Sequence, residues 1–382
     1  MKKSLIAPVV VLCLFSIAVA QIAKDNIPIS VDRDKVLSKY GDPEIVNRSL
    51  PIQPGVGVVS KADVKRSASA LRLHFVVSAP ADTPSWALEV LDKKDRKIWS
   101  YSAASDQSTD IWSDEIPGNI AHVRVFAVAE IPCLRLSIDR IIVSNKPTEG
   151  RGLTVDKLRS IDKASPAIQA WGKSVARLVF VRDGGGQVLC TGFLIAADLF
   201  MTNNHCIRTP TEMSSGLAEF DFDRANTIPV TLRFNKIVDT NPDLDFTLLR
   251  LATPTDRRPF TFDTSVSEPR NMVMIQHPAG RPKEVSIDNC KVMGAQVAGV
   301  TTRLTDFGHG CDTLQGSSGA PAIDIQTGRV LGLHHLGYLP TDDPVNRAVQ
   351  IQQILDHLKK NLCDPKARQA LGFPPLPCDQ SQ

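Results

Sequence analysis

Cys311-Asp312-Thr313-Leu314-Gln315-Gly316-Ser317-Ser318-Gly319-Ala320-Pro321 is the stretch that decides the fold. Glycine stands two residues before Ser318 and directly after it, which marks a tight turn presenting one hydroxyl. Ser317 lacks that flanking pattern, so Ser318 is the candidate nucleophile. A serine hydroxyl is weak at neutral pH; it needs an imidazole to take its proton and a carboxylate to fix that imidazole's tautomer. Both stand upstream. Cys190-Thr191-Gly192-Phe193-Leu194-Ile195 is followed by Met201-Thr202-Asn203-Asn204-His205-Cys206, and Asp243-Leu244-Asp245-Phe246-Thr247-Leu248-Leu249-Arg250-Leu251 comes next. Asp245 directly precedes the apolar run, which prefers it to Asp243 as the carboxylate at the start of a strand.

The three segments, in the order His, Asp, Ser and with a cysteine beside the histidine, resemble those of the chymotrypsin-like serine peptidases. The bacterial trypsin-like and glutamyl-endopeptidase branch is the nearest in pattern, over roughly residues 173–362. The resemblance implies an all-β fold: a two-barrel protease domain, here preceded by a small β-sandwich. It implies Ser318 as nucleophile, His205 as general base and then acid, Asp245 as the group orienting His205, and the N–H groups of Gly316 and Ser318 as the oxyanion hole. Asp312, six residues before the nucleophile, would lie at the base of the primary specificity pocket and select Arg or Lys at P1. A turn residue outside the pocket is the other reading of Asp312. Thr313 and His334 resemble the pair that binds a substrate carboxylate in glutamyl endopeptidases. An acid at the pocket base repels glutamate, so basic P1 residues are expected, with P1 Glu as the alternative. One departure stands out. The family's activatable members carry an Asp before the nucleophile, which pairs with a newly cut N-terminus; this chain has Ser317 there. Cleavage before residue 173 is therefore not expected to be needed to build the oxyanion hole.

Cys190 and Cys206 resemble the family's pair flanking the histidine loop, and Cys290 with Cys311 would tether the loop entering the Ser318 turn. Cys133, Cys363 and Cys378 remain, two of them expected to pair. Neither C-x-x-C nor H-E-x-x-H occurs. His334 and His335 fall on opposite faces of one strand, and His277 reads as a turn residue, so no metal and no cofactor are expected.

Around this core, the 382 residues are 42% hydrophobic and 22% charged, a globular composition long enough for two domains. Met1-Lys2-Lys3, the apolar Ser4–Ile17 and Ala18-Val19-Ala20 read as a cleavable export signal, residues 1–20. Leu12 before Cys13 is not the small residue a lipobox needs, so no stable membrane anchor is expected. The chain's formal charge of +3 falls to +1 once Lys2 and Lys3 leave with the signal. That removes the electrostatic reason to expect nucleic acid. Export, periplasmic or extracellular, also accounts for eight cysteines, seven of them in the mature chain.

Prolines 28, 43, 51 and 54 make residues 21–61 read as an irregular lead. Short alternating strands at 71–77, 87–91, 121–128 and 134–138 predict a β-sandwich over 62–145. A polar linker is expected over 146–172, with Thr154 capping a helix to about Ser160. Longer strands at 176–181, 190–195, 246–251, 273–276 and 330–333 belong to the protease domain, 173–362, closed by a helix over 348–362. A tail covers 363–382. The expected partner is a protein or peptide substrate, and nothing fixes the oligomeric state. A non-catalytic binding or adhesion protein on the same fold is the competing reading. The sandwich reads as a pro-domain, an adhesion or carbohydrate module, or a spacer, with Trp86, Trp99 and Trp112 as either a ligand platform or buried core.

Overall fold

The structure, a computed structural model, describes residues 38–80, 83–104, 109–131, 133–144, 157–183, 185–225, 227–301, 303–337 and 346–378. The expected export signal and Thr154 lie outside them.

Largely buried strands, with Val230–Asn241 the half-exposed exception, build the first barrel. Val175–Val181, Gln187–Leu194, Leu199–Thr202, Leu217–Phe220, Val230–Asn241 and Phe246–Leu251 pair in a ring, because Val175–Val181 pairs with both Leu217–Phe220 and Gln187–Leu194. Closure leaves no free strand edge among the six, and Phe180, Phe200, Phe220 and Leu249 fill the interior. A second, eight-stranded sheet forms a half-barrel whose neighbouring strands include Met272–Gln276, Pro321–Asp324, Val330–Leu336, Asn346–Gln350 and Asp306–His309. The core between the two joins Phe193, Met201 and Phe246 of the first barrel to Val273, Ile323 and Leu333 of the second. The fold is therefore all-β with the two-barrel chymotrypsin-like architecture.

Ahead of it, the sheet Gly57–Lys65, Ile120–Ala127, Trp86–Asp92 and Lys97–Ser102 faces a second layer of Ser38–Leu50, Arg135–Ser144, Ala70–Ser78 and Asp110–Trp112. Leu73, Phe75, Leu88, Val123 and Ile138 lie between the layers, as strand alternation requires. The layers do not stand apart from the barrel. Ser38 and Lys39 pair with Leu189 and Val188, so the second layer continues into the first barrel's sheet.

Several boundaries differ from expectation. Residues 38–50 and 57–65 are strands, not an irregular lead. Residues 41–50 of this first strand are largely exposed and held by backbone pairing to Arg135–Ser144, with a register shift between Ile45 and Arg48, so they have no apolar period to read. In the expected linker, Arg159–Ser160 pairs with the strand Glu284–Ser286, and the helix is Pro166–Gly172, capped by Ser165. Ile161 and Ile168 enter the core. The expected helix over 348–362 begins at Ile351, because Ala348 and Val349 belong to the strand Asn346–Gln350. The expected tail carries the helix Pro365–Ala370, capped by Asp364, with Ala367 buried. Trp86 and Trp112 are buried and Trp99 is partly buried, which removes the ligand platform.

Candidate functional site

The expected site residues lie where the barrels meet. His205 follows the strand Leu199–Thr202, and Asp245 sits one residue before Phe246–Leu251, the strand paired with it. The Asp245 carboxylate grips His205 twice: Oδ1 accepts from the His205 backbone N–H at 2.9 Å and Oδ2 meets Nδ1 at 2.7 Å. Asn203 Nδ2 donates to the Asp245 carbonyl at 2.8 Å. Asp245 has φ +47, a left-handed conformation that costs about 1 kcal/mol or more for a residue with a side chain, and these bonds hold it there. Burial raises its carboxyl's pKa, but His205 and His335 outweigh that and hold it far below the usual range. Asp243 is exposed. With Nδ1 on a carboxylate, the His205 proton belongs on Nδ1 and the lone pair on Nε2; that Nε2 is buried and has no hydrogen-bond partner among the described residues.

Thr191 docks the Ser318 turn onto the first barrel: its N–H donates to the Ser318 carbonyl and its Oγ1 to the Gly316 carbonyl, both at 2.8 Å. Gly319 N–H donates to the His334 carbonyl at 2.8 Å. Gly319 has φ +88, and a Cβ there would lie 2.0 Å from the Thr191 carbonyl oxygen, so only glycine fits. Ser317 closes the turn locally: its Oγ accepts from Leu314 N–H at 3.1 Å and its N–H donates to the Leu314 carbonyl at 3.0 Å. Cys190 is bonded to Cys206, Cys290 to Cys311, and Cys363 to Cys378; Cys133 is free and exposed. Both sulfurs of the first pair and a His205 ring nitrogen lie within 4.8 Å of one another. Joined sulfurs offer no thiolates, so this cluster is a brace for His205, not a metal site.

His335 was not expected to take part. It does face opposite to His334, and that face is the one turned to Asp245. Its Nδ1 lies 3.2 Å from Asp245 Oδ2 and its Nε2 lies 2.6 Å from Asp306 Oδ2. A neutral imidazole has one N–H, whereas here both nitrogens meet carboxylate oxygens. Burial alone would lower its pKa, but Asp306 and Asp245 carry it up to about 9, so His335 is an imidazolium at neutral pH. No local signal marked this partnership: the strand Asp306–His309 that supplies Asp306 is polar at both ends.

His334 turns instead to His309, Nδ1 to Nε2 at 3.1 Å. His309 Nδ1 accepts from the Cys311 N–H at 3.3 Å, which places the His309 proton on Nε2 and makes His334 Nδ1 the acceptor. Burial keeps both neutral, lowering His309 to about 3 and His334 well below its usual value. Asp312 and Thr313 are partly buried; the Asp312 backbone is fixed by Ser286 Oγ and Gln276 Nε2, both at 2.8 Å. His277 is fully buried at the start of the turn Pro278–Gly280, stacked near Phe222.

Two barrels enclosing a His–Asp pair beside a Gly-x-Ser-Gly turn define the class as chymotrypsin-like. Residues 190–333 match the trypsin-like peptidase domain. Among curated proteins it is similar to Secreted RxLR effector protein 73 of Plasmopara viticola, 26% identical over 210 residues, 49% of each chain. It is also similar to the uncharacterized protein y4fB of Sinorhizobium fredii, 29% identical over 168 residues, 38% of this chain and 25% of that one. The chain thus spans half or less of the length of these relatives. Among solved structures, the active form of the Rv3671c protease from M. tuberculosis is 19% identical with a TM-score of 0.42, covering 57% of this chain and 94% of that one. The HtrA-type protease AlgW with tripeptide is 16% identical with a TM-score of 0.41, covering 51% and 62%. Among the described residues no helix is long and apolar enough to cross a membrane.

Proposed function

We propose that the chain is an exported serine endopeptidase in which Ser318, His205 and Asp245 form the catalytic triad. One observation supports this: His205 is clamped by Asp245 on Nδ1 while its Nε2 is left buried without a partner, and the Ser318 turn is docked on Thr191 of the same barrel. Ser318 Oγ bonds to the scissile carbonyl carbon as its proton passes to His205 Nε2, and the N–H groups of Gly316 and Ser318 hold the oxygen that takes the charge. Collapse breaks the C–N bond and the amine leaves with the proton from His205. Water then repeats the sequence on the acyl-enzyme and frees Ser318. Export is supported by the leader and by three disulfides, and one relative is itself named as secreted.

For P1, basic side chains are proposed through Asp312. Thr313 and His334 are the site of the alternative, P1 Glu, but a neutral His334 gives a P1 carboxylate no opposite charge. Labelling with a fluorophosphonate tests the reading: wild type reacts at Ser318, and Ser318→Ala and His205→Ala fold but do neither labelling nor turnover. A folded wild type that stays unlabelled and cleaves nothing in a peptide library would instead support a non-catalytic binder. The same library separates basic from acidic P1.

A further inference from the structure

The peptide joining Gln315 to Gly316 is planar and trans, so its carbonyl and its N–H point in opposite directions. Ala279 N–H donates to the Gln315 carbonyl at 2.5 Å, which turns the Gly316 N–H away from the turn Pro278–Gly280. Gly316, φ +94, packs closely on that turn: a Cβ there would lie 2.9 Å from the His277 carbonyl oxygen and 3.2 Å from the nitrogens of Ala279 and Gly280. Whatever holds the turn therefore aims the Gly316 N–H.

The turn is strained and needs holding. Ala279 has φ 51 and ψ 25, a left-handed conformation costing about 1–3 kcal/mol that survives only where the surroundings impose it. Two supports are in place. Thr191 Oγ1 accepts from the His277 N–H at 3.0 Å. Arg177 Nη1 donates to the Gly280 carbonyl at 3.0 Å. Arg177 is 3% exposed; its Nε meets Glu219 Oε2 at 2.6 Å, its guanidinium lies 4.0 Å from the Phe222 ring centre, and its Nη2 reaches Glu115 Oε1 at 3.3 Å.

Glu115 belongs to the N-terminal layers, just after Asp110–Trp112. Its loop is seated on the barrel by Arg233, which donates to the Trp112 carbonyl at 2.9 Å and to Asp114 Oδ1 at 2.5 Å. Buried Arg72 of the sandwich donates to the Ser113 carbonyl at 3.2 Å and reaches the barrel at the Ser215 carbonyl, 2.8 Å, and Gln187 Oε1, 3.2 Å.

We propose that the N-terminal sandwich is a permanent brace for the oxyanion turn, with Glu115 positioning Arg177 so that the turn Pro278–Gly280 keeps the Gly316 N–H aimed at the reacting carbonyl. This rests on the triad reading above and assigns the sandwich a role in the same site. Glu115 and Arg177 are positioning residues, since neither reaches the substrate.

Full-length Glu115→Gln and Arg177→Lys test it through two measurements. The rate constant for Ser318 phosphonylation should fall at least about 10-fold, part of the roughly 10²–10³ lost when one oxyanion donor is removed outright. Amide deuterium exchange across 311–320 should quicken by a similar factor while exchange in the sandwich core stays at the wild-type rate, a pattern that general destabilisation does not give. Wild-type labelling and wild-type exchange at 311–320 in either folded variant would overturn the brace. Should Arg177→Lys fail to fold around the buried Glu219, Glu115→Gln decides alone. An unlabelled wild type would overturn the triad reading, and the exchange comparison still decides the brace.

Discussion

Replacing His335 by Gln removes the imidazolium held between Asp245 and Asp306, and the structure sets the size and direction of the effect. A histidine carried from 6.5 up to about 9 has its charged form favoured in the folded chain by about 3 kcal/mol. Because the folded-state value is raised, that stability is present in full below pH 6.5 and is lost as pH rises through about 9. His335 meets the carboxylates Asp245 and Asp306, and its charge also acts on His309 and His334. Burial keeps His309 and His334 neutral throughout this window, and Asp245 stays ionised. At pH 6, His335→Gln should therefore cost at least about 3 kcal/mol, because it also strips a donor from each of two buried carboxylates. Denaturant unfolding of wild type and variant, disulfides intact, at half-unit steps from pH 6 to 10 measures this. Taking the difference cancels other titrating groups such as buried Lys283. The gap between the two proteins should narrow by about 3 kcal/mol across the series. A gap that stays constant with pH would refute the imidazolium, leaving His335 a neutral packing residue.

Other outcomes follow from the same contacts. Asp245→Asn should lower kcat by about 10⁴ while Asp243→Asn stays near wild type, since only Asp245 touches His205; steady-state kinetics on any cleaved peptide reads this. Gly319→Ala should prevent the Ser318 turn from docking, because its methyl would sit 2.0 Å from the Thr191 carbonyl oxygen; soluble expression and phosphonylation should both collapse. Opening the 16-residue separation between Cys190 and Cys206 with a double Ser variant should cost about 3 kcal/mol of stability, seen in unfolding, and slow labelling by loosening His205. Changing Lys and Arg over residues 145–172 to block cleavage should leave phosphonylation at the wild-type rate; its loss would show that chain cutting builds the oxyanion hole.

Five barrel strands were legible because they are buried on both faces and read as apolar runs; Val230–Asn241, half-buried and interrupted by charged residues, was not. Phe246–Leu251 was expected and is found with the same bounds. The strand Ser38–Leu50 was not legible. Its residues 41–50 are mostly exposed; it carries Pro43 and is held by main-chain pairing on its two sides, a pattern that leaves no period in the side chains. Asp245 was legible because strand onset is a local signal. Asp306 and His335 were not, since their meaning exists only once separate strands bring two carboxylates to one imidazole.

Ser317 joins these two kinds of information. In the activatable pattern, a buried carboxylate at this position needs a distant cation, and the site is unfinished until that cation arrives. A hydroxyl carries no such debt: it satisfies itself through Leu314, three residues away, and leaves no buried charge behind. Local closure alone does not aim the Gln315–Gly316 peptide, however, because the bonds made by Ser317 begin at Leu314 and never touch the Gln315 carbonyl. That carbonyl is held from outside, by Ala279, in a turn that is itself strained and tied to Arg177. Ser317, standing where activatable members carry Asp, is readable in the sequence as the absence of that salt bridge. Its counterpart, a fixed support drawn from a domain with no motif of its own, lies in residues as unremarkable in sequence as Glu115, and becomes visible only when the two sheets are joined.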